Sequence, residues 1–269
     1  MMTEGGSVPE DSRVPEDSRV PEGGRASGGV QSLHRALDVL EAFATAGGTA
    51  SLSDVAAACG LPAPTVHRLA ATLAGRGYLR QLPDRRYCLG SRLVPIGVQA
   101  HAQLGERALP ALRGLAELTG ESANLAVLAQ DRAEYVSRAF GTHTMRIFTE
   151  VGNRVALYCT GVGKAILAVL PPERATVLIG AGPLVAHTPT TITDPDALRA
   201  EIAVIRERGY ALDEGEMEVG VRCVAVGMPG AVPMAVSVSG PAARMTDDLV
   251  ATAVRALRTA SADLARHLA

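Results

Sequence analysis

Apolar residues recur at helical spacing, or alternate, in blocks separated by Gly, Pro and charged clusters, and each block predicts an element. Over residues 30–46 the stripe Leu33, Ala36, Leu37, Leu40 and Phe43 predicts a helix capped by Ser32 and stopped by Gly47-Gly48. Ser53 is placed to cap a second helix with Val55, Ala56 and Cys59 on one side, and Gly60 then supplies a sharp turn anchored by Leu61. Pro62 and Pro64 suit the opening of a third helix, where a missing N–H costs nothing. Its inward face is Val66, Leu69 and Leu73, which leaves Thr65, His67, Arg68 and Thr72 pointing outward until Gly75 and Gly77 end it. Residues 78–82 and 87–89 predict two short strands around a turn at 83–86. Helix, tight turn, helix and hairpin are the elements of a winged helix-turn-helix.

Beyond that unit, residues 91 to about 102 predict a linking helix. A second helix follows with Leu112, Leu115 and Leu118 on one face and Gly120 as its stop, and Pro110 is expected to break or kink the chain between the two. From Glu121 the pattern changes. Strands are predicted at 124–128, 134–138, 145–148, 223–226 and 235–239, with helices at 161–170 and from Asp194-Pro195 to Gly209. The latter turns Leu198, Ile202 and Ile205 inward, and a short strand at 210–212 ends just before Asp213. Thr246 caps a last helix with the stripe Val250, Val254, Leu257, Leu264 and Leu268. The whole predicts an α+β chain: a winged helix-turn-helix at 29–91, linker helices at 92–120, and a domain at 121–269 on a largely antiparallel sheet. Residues 8–25 repeat VPEDSR, VPEDSR, VPEGGR, and Pro and charge at a six-residue period bury no core, so 1–28 is expected to be a disordered tail.

Charge adds direction. Between Leu61 and Arg92 there are six Arg against one acid, Asp84, a local charge of +5 on a chain whose net charge is −2. A basic patch on a near-neutral protein suits a polyanion. A helix fits the DNA major groove and presents side chains to base edges, while Arg on a hairpin holds phosphates. The candidate contacts are therefore Thr65, His67, Arg68 and Thr72 on the helix and Arg80, Arg85 and Arg86 on the hairpin. The plainer alternative is a small helical core with a solvated Arg-rich turn. No apolar run reaches the roughly 18 residues of a membrane helix. The start of the chain has no apolar signal segment, so a cytoplasmic location without membrane contact is expected. Cys59, Cys88, Cys159 and Cys223 form no CxxC pair and six scattered His show no metal-ligand spacing, which leaves no metal or other cofactor expected.

The second domain offers a candidate pocket. A phosphate loop needs Gly near 158–159 and Ser or Thr after Lys164, but Tyr158, Cys159 and Ala165 stand there. Thr160, Gly161 and Val162 still open an apolar helix whose free N–H groups suit a small carboxylate. Ser237 and Ser239 share one face of a strand, Cys223 and Ala225 share a face of another, and Asp213 is near by in the pattern. The plainer alternatives are glycines kept for close packing and serines on a solvated edge. There is no GxSxG, HExxH or paired-carboxylate cluster. Lys164, the single lysine, has no evident partner for Schiff-base chemistry, so an enzyme is the weaker reading.

QSLHRALDVLEAFA and LSDVAAACGLPAPTVHRLAATLAGRGYLRQLPDRRYCLGSRL resemble the DNA-binding half of IclR-type transcriptional regulators. RIFTEVGNRVALYCTGVGKAILAVLP, with RGYALDEGEMEVGVRCVAVGMPG and AVSVSGPAAR, resembles their effector-binding half, so the likeness spans about residues 30–269. Within the family, GVQSL, ESANLAVL, THTMRIFTEVG, CTGVGKA and EMEVGVRCVAV are most similar to the glyoxylate-responsive repressors of allantoin and ureide catabolism, especially those of actinobacteria. The resemblance implies a winged helix-turn-helix, a linker helix and a GAF-like α/β effector domain. It implies dimers that pair into tetramers on double-stranded operator DNA. It implies an effector pocket at Thr160, Gly161, Val162, Asp213, Cys223, Ser237, Val238 and Ser239 for a small carboxylate such as glyoxylate. Two departures stand out. Ala63-Pro64 precedes Thr65 where many relatives have a polar or basic pair, which shifts base contacts toward Arg68 and the backbone. The turn at 228–233 is short, which shifts the loop contacts of the pocket.

Overall fold

The computed structural model describes residues 30–144 and 149–268; the expected tail at 1–28 and the strand expected at 145–148 lie outside the described residues. The first unit contains α1 (Gln31–Thr45), β1 (Thr49–Ala50), α2 (Leu52–Cys59), α3 (Ala63–Gly75), β2 (Leu79–Gln81) and β3 (Tyr87–Leu89). Its core is Val39, Phe43, Val55, Val66, Ala70, Leu79 and Tyr87. The buried face of α1 is centred on Val39 and Phe43, while Leu33 and Leu37 of the predicted stripe are 58% and 48% exposed. The predicted stripe holds at Leu40 and Phe43, which pack in this core, and fails only at its N-terminal end. Ser32 does not cap α1, which starts after Val30 with no side-chain cap. Ser51, not Ser53, caps α2, its Oγ accepting the Asp54 N–H at 3.2 Å. Gly60 ends α2 at φ +61°, a conformation that favours glycine. The two-residue β1, too short for a periodic signal, pairs with β3 and makes the wing three-stranded, in the order β1-β3-β2.

The linker is one helix, α4 (Leu93–Thr119), which continues through Pro110 where two helices were expected. Pro110 and Glu106, whose carbonyl loses its helical donor, both lie on the exposed face, which leaves that carbonyl open to solvent. The opposite face (Gly105, Ala108, Leu112, Leu115 and Ala116) is buried against the second domain and holds the helix in register, whereas Leu118 is exposed.

That domain contains β4 (Ser122–Ala129), β5 (Arg132–Ala139), β6 (Arg154–Ala156), α5 (Gly161–Val169), α6 (Pro172–Ile179), α7 (Pro195–Arg208), β7 (Ala211–Glu214), β8 (Val221–Met228), β9 (Met234–Pro241) and α8 (Asp247–Leu268). The strands form a six-stranded antiparallel sheet in the order β6-β5-β4-β9-β8-β7. β6 and α6 had no signal in the pattern, and Asp213 lies within β7 rather than after it. Alternation along the strands divides the side chains between two cores. Leu125, Val136, Val224, Val236 and Val238 face α4 and α8, together with Val250 and Leu257. Ala126, Ala133, Ala211, Ala225 and Ala235 face α5 and α7, with Val162, Ile166, Leu198 and Ile202. Small side chains on that second face bring α5 close: a Cβ on Gly227 would stand 2.4 Å from the Ala165 carbonyl oxygen. The Leu268 side chain lies outside the described residues. Among the described residues no helix is long and apolar enough to cross a membrane.

Candidate functional sites

In the first unit, α3 starts after Pro62, with Pro64 in its first turn and the Thr65 N–H donating to the Pro62 carbonyl. His67, Arg68 and Thr72 are exposed, and Thr65 is half-buried. The Thr72 hydroxyl donates to the Arg68 carbonyl at 3.0 Å, so toward a partner it offers only an acceptor. Arg80, Arg85 and Arg86 are exposed on the wing. Asp84 accepts from the Arg86 backbone N–H at 3.1 Å and from its Nε at 2.7 Å, which holds the Asp84 carboxyl below its ordinary range. This clasp shapes a turn in which Arg85 takes φ +67°, and the Arg85 guanidinium has no partner among the described residues. Arg85 is thus the freer cation at the tip, and Arg86 is partly spent on Asp84.

In the second domain the site grows from two glycines. A Cβ on Gly161 would stand 2.8 Å from the Cys223 Sγ, and one on Gly163 would stand 2.4 Å from the Leu157 Cα. Only glycine lets the start of α5 settle on β8 and on the preceding segment. Thr160 caps α5: its Oγ1 accepts the Gly163 N–H at 3.2 Å and donates to the Ala156 carbonyl at 2.8 Å. Its hydroxyl therefore builds the site rather than facing a ligand. The Gly161 and Val162 N–H groups find no acceptor among the described residues. They are the positive end of the helix dipole.

Beneath them, strand register aligns Asp213, Cys223, Ser239 and Ser122 across four strands, with Ala211, Ala225, Ser237 and Asn124 in the next row of the same face. Asn124 Nδ2 donates to Ser239 Oγ at 3.2 Å. Ser122 Oγ and Asn124 Oδ1 are buried with no partner among the described residues, and so is the Ser237 hydroxyl apart from the neighbouring Cys223 thiol. Such orphans cost free energy unless something satisfies them. Val238 is the exception among the expected pocket residues. Its side chain points to the opposite face, into the α4–α8 core, and its backbone is engaged in the β4 and β8 ladders. Ser122 and Asn124 were missed because only pairing between distant strands brings them beside Ser237 and Ser239.

Ionic partners complete the surroundings. Lys164, 1% exposed, donates its Nζ to Glu216 Oε1, while Glu216 Oε2 is buried without a partner. The Glu216 N–H donates to Asp213 Oδ1 at 2.7 Å. Thr188, Thr190 and Thr191 strap this loop through hydroxyl bonds to the Gly215 and Glu216 carbonyls. Burial pushes the Asp213 and Glu216 carboxyls up, against the opposite pull of Lys164 on both and of the Glu216 N–H on Asp213. Burial, with Asp213 adding to it, pushes the Cys223 thiol far up and the Cys159 thiol to about 11, so both stay neutral and neither is an activated nucleophile. Among the described residues no group of His, Cys, Asp and Glu is arranged to hold a metal ion.

One consequence is testable directly. Folding raises the Asp213 pKa, so the fold favours its protonated form. The stability this confers is complete below the free-carboxyl pKa and is lost as pH rises through the folded value. Asp213→Asn keeps an oxygen for the Glu216 N–H and removes the buried charge. It is expected to flatten this pH dependence and raise the melting temperature at neutral pH by roughly a few degrees. Calorimetric scans from acid to neutral pH check it, and an unchanged or lowered melting temperature at neutral pH counts against it.

The IclR helix-turn-helix domain model matches residues 32–83, and the model of the bacterial transcriptional regulator IclR C-terminal domain matches residues 97–266. The chain is 36% identical over 236 residues to the transcriptional repressor IclR of Escherichia coli K12, covering 84% of this chain and 85% of that one. It is 30% identical over 253 residues to the transcriptional repressor AllR of the same organism, covering 90% and 92%. The solved IclR of Thermotoga maritima superposes with a TM-score of 0.61 at 27% identity, covering 88% of this chain and 98% of that one. These matches support the family more firmly than the allantoin-type subgroup expected from the short motifs, since AllR is less similar to this chain than IclR is. The matched families and relatives are transcriptional regulators and not enzymes. With a helix-turn-helix followed by the family's C-terminal domain, the chain belongs to the IclR family of bacterial transcriptional regulators.

Proposed function

We propose that the protein is a ligand-controlled repressor of a catabolic operon of the allantoin or glyoxylate type. In this reading Thr65, His67, Arg68 and Thr72 read the operator, and Arg80, Arg85 and Arg86 hold its phosphates. A small carboxylate, glyoxylate being the first to test, binds between the Gly161-Val162 N–H groups and the face of Asp213, Cys223, Ser237 and Ser239. The observation that carries the reading is the trio of buried orphans, Ser122 Oγ, Ser237 Oγ and Asn124 Oδ1, beneath a helix start with two free N–H groups. A ligand that satisfies them binds one arrangement of the domains better than another and shifts the population by that difference. The functional units are 29–91, a linker at 92–120, and an effector domain of GAF-like type at 121–269, acting in the cytoplasm. Exposed Val30 just before α1, Leu33 and Leu37 on α1, and Val94, Ile96 and Val98 on α4 favour self-association to dimers, and dimers to tetramers on DNA.

Gel shift with the DNA upstream of the protein's own operon is expected to show a salt-sensitive, sequence-selective complex that glyoxylate weakens. A complex strengthened by the acid instead favours an activator of an organic-acid pathway, and no selective complex overturns the reading. Cys223→Ala and Ser239→Ala are each expected to weaken the response to the acid by about tenfold, the loss of one hydrogen bond in a buried site, and to leave unliganded DNA binding intact. Unchanged response in both variants would refute the placement of the pocket.

A further inference from the structure

The site's buried groups are of two chemical kinds. The donors are the Gly161 and Val162 N–H groups and the Ser122 and Ser237 hydroxyls. The acceptors are Asn124 Oδ1, buried without a partner, and the Asp213 carboxylate. A plain carboxylate accepts at every oxygen. It satisfies the donors, but it sets acceptor against acceptor at Asn124 and like charge beside Asp213. A hydroxyl on the carbon next to the carboxylate reverses that second contact, because it donates where the site accepts. Asn124 lies on β4 and Asp213 on β7 of one sheet face, with β9 and β8 between them, and the helix start stands over Cys223 on β8. Asn124 and Ser237 are paired neighbours on β4 and β9, so a ligand of two or three carbons meets an acceptor and a donor there. Ser122, Asn124, Ser237 and Ser239 are all buried, so the site offers no open cleft for a bulky substituent.

Building on the effector-site reading above, we propose that the site selects short acids carrying a hydroxyl on the carbon beside the carboxylate. These are 2-hydroxy acids, or aldehyde acids whose carbonyl has added water to become a geminal diol. Acids that only accept hydrogen bonds are rejected. Asn124, absent from the sequence-based set of pocket residues, is then a specificity-determining residue. A site built to bond a hydroxyl discriminates strongly against an isostere that lacks it, because its own buried group is left unpaired.

Calorimetric titration of the full-length protein with glycolate, glyoxylate, propionate and oxalate tests this. Propionate has a methyl where glycolate has a hydroxyl, and oxalate accepts at every oxygen. Glycolate and glyoxylate are expected to bind at least about tenfold more tightly than propionate or oxalate. In Asn124→Leu, glycolate is expected to fall to the level of propionate. If propionate or oxalate binds as tightly as glycolate, the selectivity is overturned and the effector site stands. If none of the four binds, the effector site falls and the selectivity with it. A glycolate preference preserved in Asn124→Leu overturns the role of Asn124, and the wild-type series decides the selectivity even if that variant does not fold.

Discussion

Lys164→Met is expected to destabilise the protein by about 3–5 kcal/mol, the cost of leaving one partner of a buried ion pair uncompensated. Lys164 and Glu216 are both buried, and Glu216 Oε2 has no partner even in the intact pair. Removing the ammonium leaves a carboxylate in a site that water does not reach. Lys164 also opposes the upward push of burial on the Glu216 carboxyl. Without it the folded pKa of Glu216 rises further, so the deficit is greatest above that value and shrinks as pH falls and Glu216 protonates. Urea unfolding at neutral and at acid pH measures both effects. The double variant Lys164→Met with Glu216→Gln is expected to recover most of the loss, since a buried pair replaced by neutral groups is often tolerated. A loss below about 1 kcal/mol in the single variant would show that the pair is solvated and weak. The pair also has a functional consequence, because it pins the loop whose Glu216 N–H holds Asp213.

The second large effect falls on DNA affinity. Arg85→Ala with Arg86→Ala is expected to weaken operator binding by roughly 10- to 100-fold at moderate salt and to reduce the slope of log affinity against log salt by about 1–2. The two residues are not equal. Arg86 is clasped by Asp84, whereas Arg85 stands at the turn with no partner among the described residues, so the single variant Arg85→Ala should account for most of the change. Arg68→Ala, on the exposed face of α3, is expected to act differently. It should relax base preference by about 1–3 kcal/mol and leave the salt slope less affected. All three side chains are exposed, so stability should stay within about 0.5 kcal/mol of the parent. Fluorescence anisotropy across a salt series, with matched and scrambled DNA, separates these outcomes. Parent-like affinity and slope in the double wing variant would remove the wing from the interface.

How far the chain could be read without its fold depends on the range of the interactions involved. Local signals were legible. Gly60 and Gly209 end their helices in the left-handed conformation, Asp194-Pro195 opens α7, and Tyr87 to Leu89 form the return strand of the wing. Turn chemistry, caps and periodicity act within a few residues, and the residues themselves carry them. The order of elements in the helix-turn-helix and the antiparallel character of the second domain follow from the same local rules.

What the sequence by itself determined, then, is the kind of each long element and the identity of most polar groups in the candidate pocket. Tertiary structure decided which side of an element is buried and which distant residues meet. Leu33 and Leu37 have the spacing of a core face yet are exposed, because the core of the first unit meets only the later part of α1, at Val39, Leu40, Ala42 and Phe43. Pro110 sits inside a continuous helix because burial of Ala108, Leu112 and Leu115 outweighs one lost hydrogen bond on an exposed face. Val238 sits between two pocket serines in sequence but faces the other core, since a strand alternates its side chains. Ser122 and Asn124 join Ser237 and Ser239 only through the β4–β9 pairing, across a separation of more than a hundred residues. No local rule encodes that register. It is set by two cores that must both be filled, and it decides which polar groups share the face of the candidate pocket.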